Sequence, residues 1–166
     1  MIEYTVKVTS NYTAWYLNDK LHREDGPAVE HTDGDKEWFV NGLCHRTNGP
    51  AIEYANGYTA WYLNGKRHRE DGPAITQPNG TKEWYLNDKR HRTDGPAYEY
   101  ANGSTEWFVN DERHRTDGPA VTYIDGSNEW YINGTKVPEA EVMSPAKEMT
   151  MAELEATLGH KLKVIK

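Results

Sequence analysis

The sequence predicts a mainly β protein: an elongated antiparallel repeat sheet, or solenoid, of six 23-residue units with a small C-terminal helical cap and a final strand. Three observations predict it. Tryptophans stand at Trp15, Trp38, Trp61, Trp84, Trp107 and Trp130, always 23 residues apart. One phrase recurs five times, as "KLHREDGPA", "LCHRTNGPA", "KRHREDGPA", "KRHRTDGPA" and "ERHRTDGPA". Asn-Gly or Asp-Gly dipeptides interrupt β-forming stretches at the same step. A period without insertions means that each unit stacks on the next by one repeated operation.

One unit reads "PAIEYANGYTAWYLNGKRHREDG" over 50–72. Asn56-Gly57 predicts a hairpin with a tight primed turn, which needs positive φ at both central residues. Its counterparts are Asp33-Gly34, Asn79-Gly80, Asn102-Gly103 and Asp125-Gly126. The strand before the turn carries Ile52, with Val29, Ile75, Tyr98 and Val121 in the other units. The strand after it, "TAWYLN", puts Trp61 and Leu63 on one face and Tyr62 on the other. The return "NGKRHREDGP" is expected to add at most a short β-bridge, because two strands per unit let an antiparallel meander repeat in one direction.

The tryptophan row is expected to face the packed side. Burying each indole is worth on the order of 4–6 kcal/mol before entropy is charged. Tyr16, Phe39, Tyr62, Tyr85, Phe108 and Tyr131 are then expected to line the outer face, together with Glu37, Glu83, Glu106 and Glu129.

The repeat array is expected over 1–136 and the cap over 137–166. Where His-Arg would recur, Val137-Pro138 stands instead. Pro138 predicts a short helix through Val142. Thr150 and Glu153 form a capping box before "MAELEATL", read as an amphipathic helix that Gly159 stops. "KLKVIK" reads as a closing strand.

Composition narrows the function classes. The formal charge of −7 argues against wholesale nucleic-acid binding through a basic surface. The single cysteine, Cys44, leaves no partner for an intramolecular disulfide. No apolar run is long enough for a membrane helix, and "MIEYTVKVTS" lacks the apolar core of a signal peptide. A soluble, cytoplasmic protein is the expectation.

With these residues in view, the chain resembles the MORN family, in the variant form where "YxNG" phrases recur, as in "YANGYTAWYLNGK". The resemblance covers roughly Tyr12 to Gly134. It implies hairpin units in an elongated sheet and a scaffold that binds proteins or, in some members, lipid. It carries no catalytic residues. Typical MORN units lack "HRxDGPA"; that phrase is similar to one in short repeats of phage and bacterial proteins. The tail "MTMAELEATLGHKLKVIK" is similar to C-terminal segments of phage-encoded proteins. The phage likeness implies an accessory or counter-defence factor acting in the host cytoplasm.

The His-Arg phrase admits a structural reading. Asp71-Gly72-Pro73 makes a turn in which Asp71 bonds its own backbone, Gly72 supplies positive φ and Pro73 lacks a donor. Arg69 pairs with Asp71 or with a neighbouring unit, and His68 packs on an aromatic ring and bonds a carbonyl. The alternative is an anion-binding edge made of His45, Arg46, His68, Arg69, His91 and Arg92, taking a phosphate-bearing small molecule or nucleic acid. The leading functional expectation is a non-enzymatic scaffold that binds a protein partner through Phe39, Tyr62, Tyr85, Phe108, Glu83 and Glu106. A basic partner suits such an aromatic and acidic face, including one that normally grips nucleic acid. No cofactor and no metal are expected, because single histidines roughly 10 Å apart cannot share one ion. No unit carries a singular nucleophile–base pair.

Overall fold

The computed structural model describes residues 3–143 together with residue 156. Among these, 13 strands follow one another along a single long antiparallel sheet. Each inner unit contributes two short strands to it, as Ile52–Glu53 and Thr59–Ala60 do in the third unit. Registers repeat: Ile52 faces Ala60, and Ile75 faces both Ala60 and Glu83. The mainly β, elongated repeat architecture is therefore the fold of this chain.

A second set of hairpins lies off the main sheet. Tyr62–Leu63 pairs with Lys66–Arg67, Tyr85–Leu86 with Lys89–Arg90, and Phe108–Val109 with Glu112–Arg113. This is the short extra pairing expected of the return. Backbone bonds in both directions join successive copies: the Asp88 N–H donates to the Arg67 carbonyl at 2.9 Å and the Arg69 N–H to the Tyr85 carbonyl at 3.0 Å, and Asp111 with Arg90 and Arg92 with Phe108 repeat the pair at 3.0 and 3.1 Å.

The primed turn expected at Asn56-Gly57 is not found there. At Asn56-Gly57 only the glycine has positive φ, at 92°. Gly57 N–H donates to the Tyr54 carbonyl, and Tyr54 N–H to the Tyr58 carbonyl, each at 2.9 Å. That is a three-residue loop with a left-handed third position. The primed turn sits in the second hairpin, where Asn64 and Gly65 have φ of 51° and 78°. A two-residue connection leaves no other route, and asparagine tolerates the left-handed region better than most residues.

Each inner tryptophan, Trp38, Trp61, Trp84 and Trp107, is the corner between the two sets of hairpins, whereas Trp15 and Trp130 lie within the continuous strands Tyr12–Leu17 and Asn128–Ile132. Trp61 N–H donates to the Ala74 carbonyl at 2.7 Å, while its own carbonyl accepts from the His68 N–H at 3.1 Å. The strand thus leaves the main sheet at Trp61 and enters the second hairpin at Tyr62.

The side chains alternate as expected, but the sides are exchanged. Tyr85 and Phe108 are buried, at 7% and 3% exposure, whereas all six tryptophans are only half-buried. Ala60, Ala74, Ile75 and Tyr85 form a core cluster, with Ile52, Tyr58, Trp61 and Tyr62 packed around it. The alanine of every "GPA" (Ala28, Ala51, Ala74, Ala97 and Ala120) is fully buried. Small residues there bring the folded-back hairpins close to the sheet, so the Tyr/Phe row fills the layer between them.

At the C-terminal end, Glu139–Met143 forms the short helix expected after Pro138. Ala156, within the helix expected over 151–158, is helical and exposed. The rest of that helix and the strand expected over 161–166 lie outside the described residues. No helix among the described residues is long and apolar enough to cross a membrane.

Candidate functional site

The five His-Arg phrases line one edge, and each builds the same socket. The Arg69 guanidinium lies 4.1 Å from the centroid of the Trp61 ring. Arg23, Arg46, Arg92 and Arg115 lie 3.9–4.3 Å from Trp15, Trp38, Trp84 and Trp107. On its other side the guanidinium meets a glycine: a Cβ on Gly72 would sit 2.9 Å from Arg69 Cζ, and one on Gly95 2.5 Å from Arg92 Cζ. Gly72 therefore serves here through the absence of a side chain; it has no positive φ, contrary to the expected turn.

Hydrogen bonds complete the socket. Arg69 Nε donates to Asp71 Oδ1 at 2.8 Å, and its Nη1 donates to the Pro73 carbonyl at 3.4 Å. Arg92 binds Asp94 and the Pro96 carbonyl, and its Nη1 also reaches Glu99 Oε1 at 3.0 Å. In the second unit Asn48 replaces the aspartate and accepts from Arg46 Nε at 3.3 Å, while Glu53 lies 2.6 Å from Arg46 Nη1. The hydrogen-bonded guanidinium groups hold the carboxyls of Asp71, Asp94 and Asp117 below the usual carboxylate range.

The histidines tie units together. Asn64 N–H donates to His45 Nδ1 at 3.1 Å, and Asn87 and Asn110 do the same to His68 and His91 at 3.3 Å. An acceptor at Nδ1 assigns the proton of the neutral ring to Nε2. The expected carbonyl acceptor is thus a backbone N–H donor of the next unit.

Clefts open between successive phrases. One of 700 Å³ is lined by Arg69, Glu70, Asp71 and Gly72 from one unit, and by Trp84, Leu86, His91, Arg92 and Asp94 from the next. Equivalent clefts of 580 and 460 Å³ lie at Trp38 and Trp107. The arginine heads are engaged and only 21–25% exposed, whereas Asp25, Asp71, Asp94 and Asp117 are 77–83% exposed. Glu24 and Glu70 add carboxylates that face only His22 and His68, at 3.5 and 3.6 Å. Glu30, Glu53 and Glu99 also lie on the edge, across the strands from Lys36 and Lys82, so carboxylates there still outnumber the arginines and these two lysines together. Among the described residues, no group of three or more His, Cys, Asp or Glu could hold a metal ion.

The residues expected to face a protein partner lie elsewhere. Tyr85, Phe108, Glu83 and Glu106 are all under 9% exposed, and Phe39 and Tyr62 are half-buried. Glu83 accepts from the Tyr85 hydroxyl at 3.0 Å and from Gln77 Nε2 at 2.9 Å. Glu106 accepts from the Tyr100 hydroxyl at 2.7 Å and from Arg113 Nε at 2.8 Å. Burial, and then the neighbouring Glu83, push the Tyr85 phenol up to about 12. These six residues therefore belong to the interior layer and its margin. The structure instead brings His91 and Arg92 beside Arg69, and His45 beside Arg46, with Trp84 and Trp38 as cleft walls.

Further contacts bind neighbouring units away from this edge. Arg67 stacks on Tyr85 at 4.0 Å and donates through Nε to Asp88 Oδ1 at 2.8 Å. Arg90 repeats the arrangement with Phe108 and Asp111. Sequence reasoning missed these clamps, although the sequence carries a signal for them: aspartate follows the turn asparagine at 88 and 111, where arginine stands 21 residues earlier.

No family model matches the chain, and no curated protein matches it. The likeness to MORN units remains a resemblance of residues and of hairpin repetition.

Proposed function

We propose that the protein is a non-catalytic repeat scaffold that docks a cationic protein partner along the His-Arg edge. One observation carries this reading: the arginines of that edge are spent inside the fold. Each is stacked on tryptophan, closed off by glycine and bonded to carboxylate and carbonyl oxygens. What the phrases themselves turn outward is carboxylate, from Glu24, Glu70 and the aspartates, beside clefts walled by tryptophan. Charge complementarity then favours a basic partner over an anionic one. The same equivalence of clefts argues for binding over catalysis, which needs groups in distinct roles at one place. An accessory role against a host component accords with the likeness of the phrase to phage-encoded repeats.

The test is binding to labelled probes of opposite charge, followed by fluorescence anisotropy at low and moderate salt. Lysine- and arginine-rich peptides bind, and the affinity falls with salt. Glu24→Gln combined with Glu70→Gln weakens them without lowering the melting temperature. Tight binding of single-stranded DNA or inositol phosphates instead, lost in Arg69→Gln, overturns the proposal in favour of an anion-binding edge.

A further inference from the structure

The clefts are a ruler as well as a surface. Successive units add two antiparallel strands to the main sheet, so equivalent points along the edge lie about 9.6 Å apart. The clefts at Trp84 and Trp107 share a wall, because Arg92 and Asp94 line both. A ligand that fills both must therefore repeat at this step.

Polypeptide geometry selects one answer. A polyproline II segment rises about 3.1 Å per residue and has three residues per turn, so every third side chain returns to one face after about 9.3 Å. A β-strand rises about 3.3 Å per residue, but its third residue points to the opposite face. An α-helix covers the step in about six residues, which is not a whole number of turns. Spacings of two or four residues in an extended chain miss the step by roughly 3 Å per unit, and the error accumulates along the array.

Resting on the docking function proposed above, we infer that the partner presents a polyproline II segment with a lysine or arginine at every third position. Each cationic head enters one cleft, beside the carboxylates that its phrases supply; the cleft at Trp38 has them, Glu24 and Asp25, on one wall only, because Asn48 stands on the other. In the cleft at Trp84 these are Glu70 and Asp71 on one wall and Asp94 on the other. Leu86 and the indole give the apolar stem of the side chain a surface to cover.

The experiment uses the full chain and synthetic proline-rich peptides of equal length and equal arginine number. In one the arginines fall at every third position; in the others they fall at every second or every fourth, or are clustered. The third-position peptide binds about ten-fold more tightly, because its second and later heads bind at high effective concentration. Circular dichroism of the bound peptide retains the polyproline II signature. Equal affinity across the peptide set overturns the spacing inference while leaving a cationic partner in place. Failure of every peptide to bind overturns both. A β-1,4-linked polysaccharide that binds the edge when no peptide does points to another class of ligand and also overturns both.

Discussion

A Cβ on Gly72 would lie 2.9 Å from Arg69 Cζ, because the guanidinium is held between that glycine and the Trp61 ring. Gly72→Ala therefore ejects the arginine from its socket. The loss of stacking and of two hydrogen bonds costs on the order of 1–3 kcal/mol, read as a lower urea midpoint. Gly80→Ala meets nothing within 4 Å, but its φ of 92° strains any side chain. Substitution of Gly72 acts through Arg69, so Arg69→Ala and the double variant destabilise equally. Additive losses in that double-mutant cycle contradict the socket.

Asn48 is the one weak member of its row. Asn48→Asp shortens the Arg46 contact toward the 2.7–2.9 Å of its siblings and raises the melting temperature at pH 7. The sign with pH follows from depression of the folded carboxyl. The gain is fully present above the unfolded value of about 3.9 and disappears as pH falls through the folded value. The wild-type and variant melting curves therefore differ at pH 7 and coincide near the acid limit. A difference that grows on acidification contradicts the pairing.

The buried Glu83 carboxylate depends on the Tyr85 hydroxyl. Tyr85→Phe leaves it with Gln77 among its bonded partners and costs about 1–3 kcal/mol of unfolding free energy. Phe108 already lacks the hydroxyl, because Glu106 is bonded by Tyr100 and Arg113 instead. Tyr100→Phe is accordingly destabilising as well, because its hydroxyl serves the buried Glu106, while Tyr123→Phe costs less, since the Tyr131 hydroxyl and Lys136 also hold its neighbour Glu129. Chemical denaturation of the three variants checks the order.

Cys44 is chemically quiet in the folded chain. Burial, and secondarily Glu37, push its thiol up to about 12. At pH 8 its thiolate fraction is then roughly three orders of magnitude below that of a free cysteine. A disulfide reagent labels the native thiol far more slowly than the urea-unfolded one. Rapid labelling of the native protein at pH 8 would refute this.

Much of the fold was legible in the sequence, for a physical reason. Constant spacing of Trp61 and His68 with their counterparts leaves one stacking operation, and hairpin chemistry supplies two strands per unit. Parity along Trp61, Tyr62 and Leu63 was equally legible. Which side packed was not. Trp61 looks like core, yet its cover is Arg69, a polar residue of the same unit. Glu83 and Glu106 look like solvent residues, yet hydroxyl, amide and guanidinium groups satisfy them in the interior. Ala60 and Ala74 were the signal for the inner side, since only small residues admit the folded-back hairpin there. The site was less legible because Gly72 reads as a turn residue until the guanidinium above it is seen.

The placement of each inner tryptophan at a corner has a mechanical consequence. Strands lie across the stacking axis, so a force drawn between the two ends loads one hairpin at a time. The array should yield by peeling, not by shear, and each released module should lengthen the chain by roughly 70 Å, its extended length less the folded step. Stretching a single molecule would trace a staircase of equal treads, its risers tallest where Arg67 and Arg90 grip the next module.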